Sequence, residues 1–195
     1  MILRNSWYQF DDRCLSHPGV IIDIGCYSWD WSQYFLDNNK RVIGFDLNEI
    51  RQPAGAELRR KAVLPFPGSF SIRGNNEVDS TVMPTFGHMG SQIQSVTLDS
   101  ILSEFDIIPS LIKMNIEGAE YPLLFSLKSP PADQLIVSFH DFAHFPYPKQ
   151  LSLIVRDYLS VWYDWKETCA EYSWWMGLLR NDIRENNKYF CKNEK

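Results

Sequence analysis

The chain reads as an α/β protein, a three-layer α/β/α sandwich around a mostly parallel sheet. Short apolar runs recur with helical patterns between them, as "GVIIDIG" (19–25) and "RVIGFDLN" (41–48) show. A strand, a helix and a strand within about 30 residues make a parallel βαβ unit. Each such run then ends in polar residues, and in open α/β sheets ligands bind outside the carboxyl ends of the strands. Finally, the two aromatic-rich segments near the C-terminus are separated by only a turn, which suits an antiparallel pair.

The elements follow in order. "GVIIDIG" has the continuous apolar pattern of a strand buried on both faces. Ser28 is placed to cap a helix whose apolar residues Trp31, Tyr34, Phe35 and Leu36 lie mainly on one side, and "DNNK" closes it. After "RVIGFDLN", a third strand is expected within "AELRRKAVLPF". Residues 65–94 are rich in Gly, Pro, Ser and Asn without helical periodicity. They suit a mobile substrate loop, with a hairpin around "SFSIRG". "SVTLDSILSEF" is a strand end entering a short helix. "SLIKMNIEGAEYPLLFSL" is strand, loop and helix, with Pro122 in the first helical turn. "DQLIVSFHDF" is a further strand. Leu151, Ile154, Val155, Tyr158, Leu159 and Trp162 recur at helical spacing and predict an amphipathic helix. "DWKETCAEY" and "SWWMGLLRND" form the closing pair. One domain over 1–195 is expected, with a core of about 19–180.

With 45% hydrophobic and 22% charged residues, the 195-residue chain has an ordinary globular composition. A net charge of −5 gives no footprint for nucleic acid. Cys14, Cys26, Cys169 and Cys191 are scattered without a C-x-x-C pair, which fits a reduced chain better than a disulfide framework or a zinc ribbon. The N-terminal "MILRNSWYQFDDR" lacks the apolar core of a signal peptide, and no run reaches membrane-span length. A cytoplasmic, soluble protein is the expectation.

The first loop, "DIGCYSWD", raises the question of a cofactor. A dinucleotide site wants G-x-G-x-x-G, but only Gly25 is present, and Asp30 in the first helical turn would repel a pyrophosphate. S-adenosylmethionine carries a sulfonium and no phosphate. An acid–glycine loop at Asp23 and Gly25, with a second acid at Asp46 to accept the ribose hydroxyls, suits it; residues 23 and 46 lie near the roughly 20-residue spacing of such ribose acids.

Four segments together resemble the FkbM-type methyltransferases, a branch of the Rossmann-like class I methyltransferase fold: "VIIDIGCYSWDWS", "RVIGFDLN", "SVTLDSIL" and "LIKMNIEGAEYPLL". The resemblance runs from about residue 19 to 140. It implies a seven-stranded sheet whose last two strands run antiparallel to their neighbours, and methyl transfer to a hydroxyl of a sugar, glycan or secondary metabolite. Cofactor contacts would come from Asp23, Gly25, Cys26, Tyr27, Asp46, Leu47, Asn115 and Glu117. Four positions depart from the family pattern. Tyr27 stands for its Asn, Trp29 for its last loop glycine, Asn115 for the acid of its K-x-D-x-E motif, and Asp46 for the longer acid after its second strand, a shorter substitute that can still make the ribose contact. An indole at position 29 must rotate outward or fill part of the methionine pocket.

Methyl transfer needs alignment of donor and acceptor and sometimes a base. His140, at a strand terminus, is the expected general base, oriented by Asp141. A divalent metal drawing on Asn115, Glu117, His140, Asp141 and His144 is the weaker alternative, and the expectation is no metal. Glu120 reads as a plain helix-dipole acid, and Trp174 as sheet surface rather than part of a ligand cage. A catalytically inactive methyltransferase-like binding or scaffold protein is the alternative function, motivated by Tyr27, Trp29 and Asn115. A dinucleotide oxidoreductase is disfavoured by the missing glycines.

Overall fold

The computed structural model describes residues 1–5, 7–73, 81–84, 92–140, 148–171 and 173–185. The chain opens with a hairpin, β1 (Ile2–Asn5) and β2 (Tyr8–Asp11), then a single helical turn, α1 (Arg13–Ser16). The first βαβ unit follows as β3 (Ile21–Ile24), α2 (Asp30–Asp37) and β4 (Val42–Asp46). Next come β5 (Ala56–Arg60), β6 (Ala62–Val63), β7 (Gly68–Arg73), β8 (Thr81–Pro84) and β9 (Gln92–Val96). The second half runs α3 (Leu98–Leu102), β10 (Leu111–Met114), α4 (Glu120–Phe125), β11 (Gln134–Ser138) and α5 (Pro148–Leu159). It closes with β12 (Tyr163–Cys169), β13 (Trp174–Leu179) and α6 (Asn181–Glu185).

Seven strands form one sheet in the order β12-β13-β11-β10-β3-β4-β5. Strands β11, β10, β3, β4 and β5 are mutually parallel, and β13 runs antiparallel to both β11 and β12. This mostly parallel sheet, with its antiparallel C-terminal pair, is the one expected of a Rossmann-like methyltransferase fold. From β3 the chain builds outward through β4 and β5, then crosses back to place β10 on the other side of β3. The order therefore reverses between β3 and β10, where ligands bind in such sheets.

Alternate strand residues face opposite sides. Ile22, Ile24, Ile43, Phe45, Ile112, Met114, Leu135 and Val137 pack with side chains of α3, α4 and α5. Ile21, Val42, Leu111 and Ile136 face the other way, against Trp31 and Phe35 of α2, Tyr8 and Phe10 of β2, and Cys14 of α1. That second face is covered by α2, the single turn α1 and a β-hairpin. Nothing in residues 1–18 announces the hairpin, because its strands are only four residues each.

Several sequence expectations change. The third strand is split: β5 joins the main sheet, while β6 turns into a separate sheet of order β6-β9-β7-β8. Residues 69–73 of the expected hairpin do lie in a hairpin strand, β7, which pairs antiparallel with both β8 and β9, while Gly74 lies outside the described residues. Ser28 does not cap α2. The N-cap is Trp29 in the left-handed region (φ 63), and Ser28 Oγ donates instead to Asp30 Oδ2 at 2.8 Å. In α5, Val155 and Leu159 are buried as the periodicity predicts, but Ile154 is 53% exposed and Tyr158 41%. Only part of the stripe meets the sheet.

Buried polar groups tie the far end of the sheet together. The Tyr163 hydroxyl donates to the Ala132 carbonyl at 2.7 Å and accepts from the Ala132 N–H at 3.3 Å. Tyr163→Phe leaves both backbone groups unpaired in the core and is expected to lower stability by about 1–3 kcal/mol, as read by urea unfolding. A loss below about 0.5 kcal/mol would show that water replaces the hydroxyl.

Candidate functional site

At the reversal point, the loop after β3 is held by its neighbours' backbones. Gly25 N donates to Phe45 O at 2.8 Å, and Asn115 N donates to Ile24 O at 2.9 Å. Gly25 has φ +79, and a Cβ there would stand 2.0 Å from Asn115 O. A side chain is excluded twice, by backbone strain and by contact with a carbonyl.

Asp23 faces the α2 side of β3, directly opposite Lys113 in the β3–β10 register. Lys113 Nζ lies 2.9 Å from Asp23 Oδ1 and donates to Gly25 O at 2.6 Å, while Ser32 Oγ donates to Asp23 Oδ2 at 2.6 Å. Both side chains are buried. Burial opposes the charge on Lys113, but the Asp23 carboxylate outweighs it and raises the ammonium's pKa overall. Asp23 therefore braces the loop from below rather than presenting a bare carboxylate to solvent. A lysine inside "LIKM" is the sequence signal for this pair, since a buried-strand lysine needs a carboxylate partner.

Asp46 ends β4 and is likewise bonded to the loop: Tyr27 N donates to its Oδ2 and Asn48 N to its Oδ1, each at 2.9 Å. One accepted bond per oxygen leaves each with a second lone pair. The Trp29 indole turns inward. It is buried, and a Cβ on Gly44 would meet its Cη2 at 2.4 Å and Cys26 Sγ at 2.7 Å. Position 44 must be glycine for the indole to lie on β4, so Trp29 neither points out to solvent nor stands above the strand ends. Burial pushes the Cys26 thiol up, so it packs as a neutral group. Tyr27 is exposed, and Leu47 packs half-buried against the Ala62, Leu64, Phe70 and Ile93 cluster.

The second neighbourhood lies at the ends of β10 and β11. The loop after β10 passes through Glu117 (φ 54) and Gly118 (φ 96) before entering α4. Glu120, fully buried, accepts from Ile116 N at 2.7 Å and from Gly118 N at 2.8 Å, fixing that turn. His140 Nδ1 lies 2.7 Å from Glu120 Oε1, and its Nε2 lies 3.1 Å from Glu117 Oε1. Burial works against the charged ring, but the two carboxylates prevail and lift its pKa to about 10. An imidazolium that gives both N–H groups to carboxylates has no lone pair to accept a proton. Glu120, read from sequence as a helix-dipole acid, is the hub of this cluster. Asp141 and His144 lie outside the described residues.

A cavity of about 360 Å³ opens beside the cluster. Asn115, Glu117, Ser138 and His140 line it together with Trp7, Tyr8 and Trp174. Trp174 opens β13 directly across from Ser138, and Tyr8 opens β2, so strand pairing and the hairpin bring these rings to one place. Sequence spacing could not find this wall, because residues 7, 8 and 174 meet only through the hairpin's docking. Among the described residues, no group of three or more His, Cys, Asp or Glu side chains is arranged to hold a metal. No helix among them is long and apolar enough to cross a membrane.

No protein-family model and no curated protein matches the chain. Among solved structures, it is similar to WbdD at 12% identity, with a TM-score of 0.47 over 87% of this chain and 37% of that one. A structure of monomeric WbdD gives 10% identity and a TM-score of 0.46, covering 88% of this chain and 40% of that one. A candidate ribosomal RNA methyltransferase from Plasmodium falciparum shares 15% identity with a TM-score of 0.46, over 87% of this chain and 91% of the other. The chain spans less than half the length of the WbdD chains. With TM-scores below 0.5, the reading of the site rests on this chain's own residues.

Proposed function

We propose that the chain is an S-adenosylmethionine-dependent methyltransferase of FkbM-like type, built as a three-layer sandwich, that methylates a hydroxyl of a sugar, glycan or other small molecule. The observation that carries this reading is the reversal of strand order between β3 and β10, flanked by a single-glycine loop and by the Asp46 carboxylate at the end of β4. The residues there suit a cofactor without phosphate. Asp30 occupies the first turn of α2, where a pyrophosphate would need bare N–H groups. Asp46 keeps acceptor capacity for ribose hydroxyls, and the inward turn of Trp29 leaves the strand ends uncovered by the indole.

Bound there, S-adenosylmethionine would supply an electrophilic methyl group on a sulfonium, leaving as the neutral thioether while the acceptor hydroxyl's proton passes to solvent. The protein's share is placement. Lys113 and Asp23 set the loop's height, Asp46 and Tyr27 its lateral position, and Asn115 and Glu117 stand between the loop and the cavity, where the acceptor would lie. His140 acts as a positioning residue that holds Glu117 at the cavity wall.

Asp46→Asn removes one carboxylate acceptor and the charge at little change in size. Its affinity for S-adenosylmethionine is expected to fall about 10- to 100-fold, the effect of a charge-assisted hydrogen bond. Calorimetric titration reads this, with thermal unfolding in parallel to show that the loop still folds. Unchanged affinity would move the cofactor away from Asp46. A non-catalytic binding protein on the same fold is the second reading, favoured by His140's lack of a free lone pair between its two carboxylates. It predicts that cofactor binds without turnover of any hydroxyl acceptor.

A further inference from the structure

The wall of the cavity at the ends of β10 and β11 has a composition that methyl transfer alone does not require. Trp7 and Trp174 meet edge to face, with ring centroids 6.4 Å apart at 69°, and Tyr8 lies 4.9 Å from Trp174 at 33°. Three aromatic rings from two distant parts of the chain therefore converge on one small space. Trp7 is 64% exposed, which is unusual for a large ring serving only as core.

Among the described residues, the charge around the rings is negative: Glu117 and Glu120 share one imidazolium at His140, which leaves these three one negative charge in excess. Glu117 is the carboxylate of the pair that lines the cavity. The nearby ammonium, Lys113, stands 5.5 Å from the Tyr8 ring centre, but its charge is spent on Asp23 and Gly25 O. An anion entering would meet the carboxylate, and a neutral apolar group would gain nothing from it. The negative faces of aromatic rings beside a carboxylate favour a cation whose charge is spread over a methylated or alkylated centre. At about 360 Å³, the cavity sits at the small end of ligand sites, with room for a head group or a small molecule.

We propose that this cavity binds an organic onium group, an alkylated ammonium or sulfonium centre, between Trp7, Tyr8 and Trp174 with Glu117 as counter-charge. The proposal goes beyond the methyl-transfer reading in naming the charge of the ligand, and the probe comparison tests it without that reading; the assignment of its source rests on it. An acceptor carrying a cationic nitrogen and the cofactor's own sulfonium are the two sources of that chemistry.

The test is tryptophan fluorescence titration of the full chain with choline and with 3,3-dimethyl-1-butanol, its uncharged isostere. Choline is expected to bind at least tenfold more tightly than the alcohol. Trp7→Leu and Glu117→Gln should each weaken choline by fivefold or more and change the alcohol's binding less than twofold. Trp7 is exposed, so its replacement leaves the fold intact, and circular dichroism checks both variants. Equal binding of the two probes, no binding of choline, or choline binding unchanged in both variants overturns the proposal. Repeating the titration with saturating S-adenosylmethionine separates the sources. Displacement of choline assigns the site to the cofactor's cation, and undisturbed binding assigns it to the acceptor. If S-adenosylmethionine fails to bind at all, the methyl-transfer reading falls while the choline result stands by itself.

Discussion

Lys113→Met is expected to destabilise the protein by about 3–5 kcal/mol, the cost of leaving one member of a buried ion pair without its partner. Asp23 would keep only the Ser32 hydroxyl, in a position that is 1% exposed. With an m-value of about 2 kcal/mol per molar, the urea midpoint would fall by about 2 M. The double variant Lys113→Met with Asp23→Asn removes both charges and should recover half or more of the loss, because a neutral pair does not carry the desolvation cost. A single variant that loses less than about 1 kcal/mol would mean that water reaches Asp23. The same substitution deletes the bond to the Gly25 carbonyl, so cofactor affinity should fall even where the chain remains folded.

The second large effect is a dependence on pH. The folded pKa of His140, about 10, lies above the value near 6.5 of a free imidazole. A raised folded pKa makes its stabilisation complete below about pH 6.5 and progressively lost as pH rises toward 10. At about 1.4 kcal/mol per unit, the loss is on the order of 5 kcal/mol across that window. His140→Gln keeps a side-chain donor but does not titrate. Subtracting its urea-unfolding profile from that of the parent isolates the imidazole and removes other groups that titrate above pH 8. A difference curve that stays flat from pH 6.5 to 10 would show that the ring is neutral when folded.

This cluster also shows what sequence could and could not supply. The strands β3, β4, β10 and β11 were legible because their apolar runs are buried on both faces, and Asp23, Gly25, Asp46, Asn115, Glu117 and His140 all lie at or near the carboxyl ends of those strands. Position along the sheet follows from local pattern. Pairing does not. "EGAE" shows two acids flanking a turn, but only the fold brings Glu120 back beneath Ile116 and Gly118 and sets His140 between two carboxylates. An imidazole that looks like a base in sequence becomes a donor once those partners are placed.

The departures in the first loop follow the same logic. Trp29 stands where the FkbM-type pattern that the sequence resembles has a glycine, and its indole is accommodated because Gly44, on β4, leaves room for it. The ring and the glycine that makes room for it lie on different elements, the N-cap of α2 and β4, and neither is interpretable alone. The cavity wall was harder still. Trp7 and Tyr8 belong to a hairpin without a sequence signature, and Trp174 sits in a strand where aromatic residues are ordinary.

Methyl transfer at the β3–β10 reversal is tested most directly by calorimetric titration of the folded protein with S-adenosylmethionine and, separately, with its demethylated product. The account predicts one-to-one binding of both in the micromolar range. Absence of heat with either compound up to millimolar concentration, in protein that unfolds cooperatively, would contradict it.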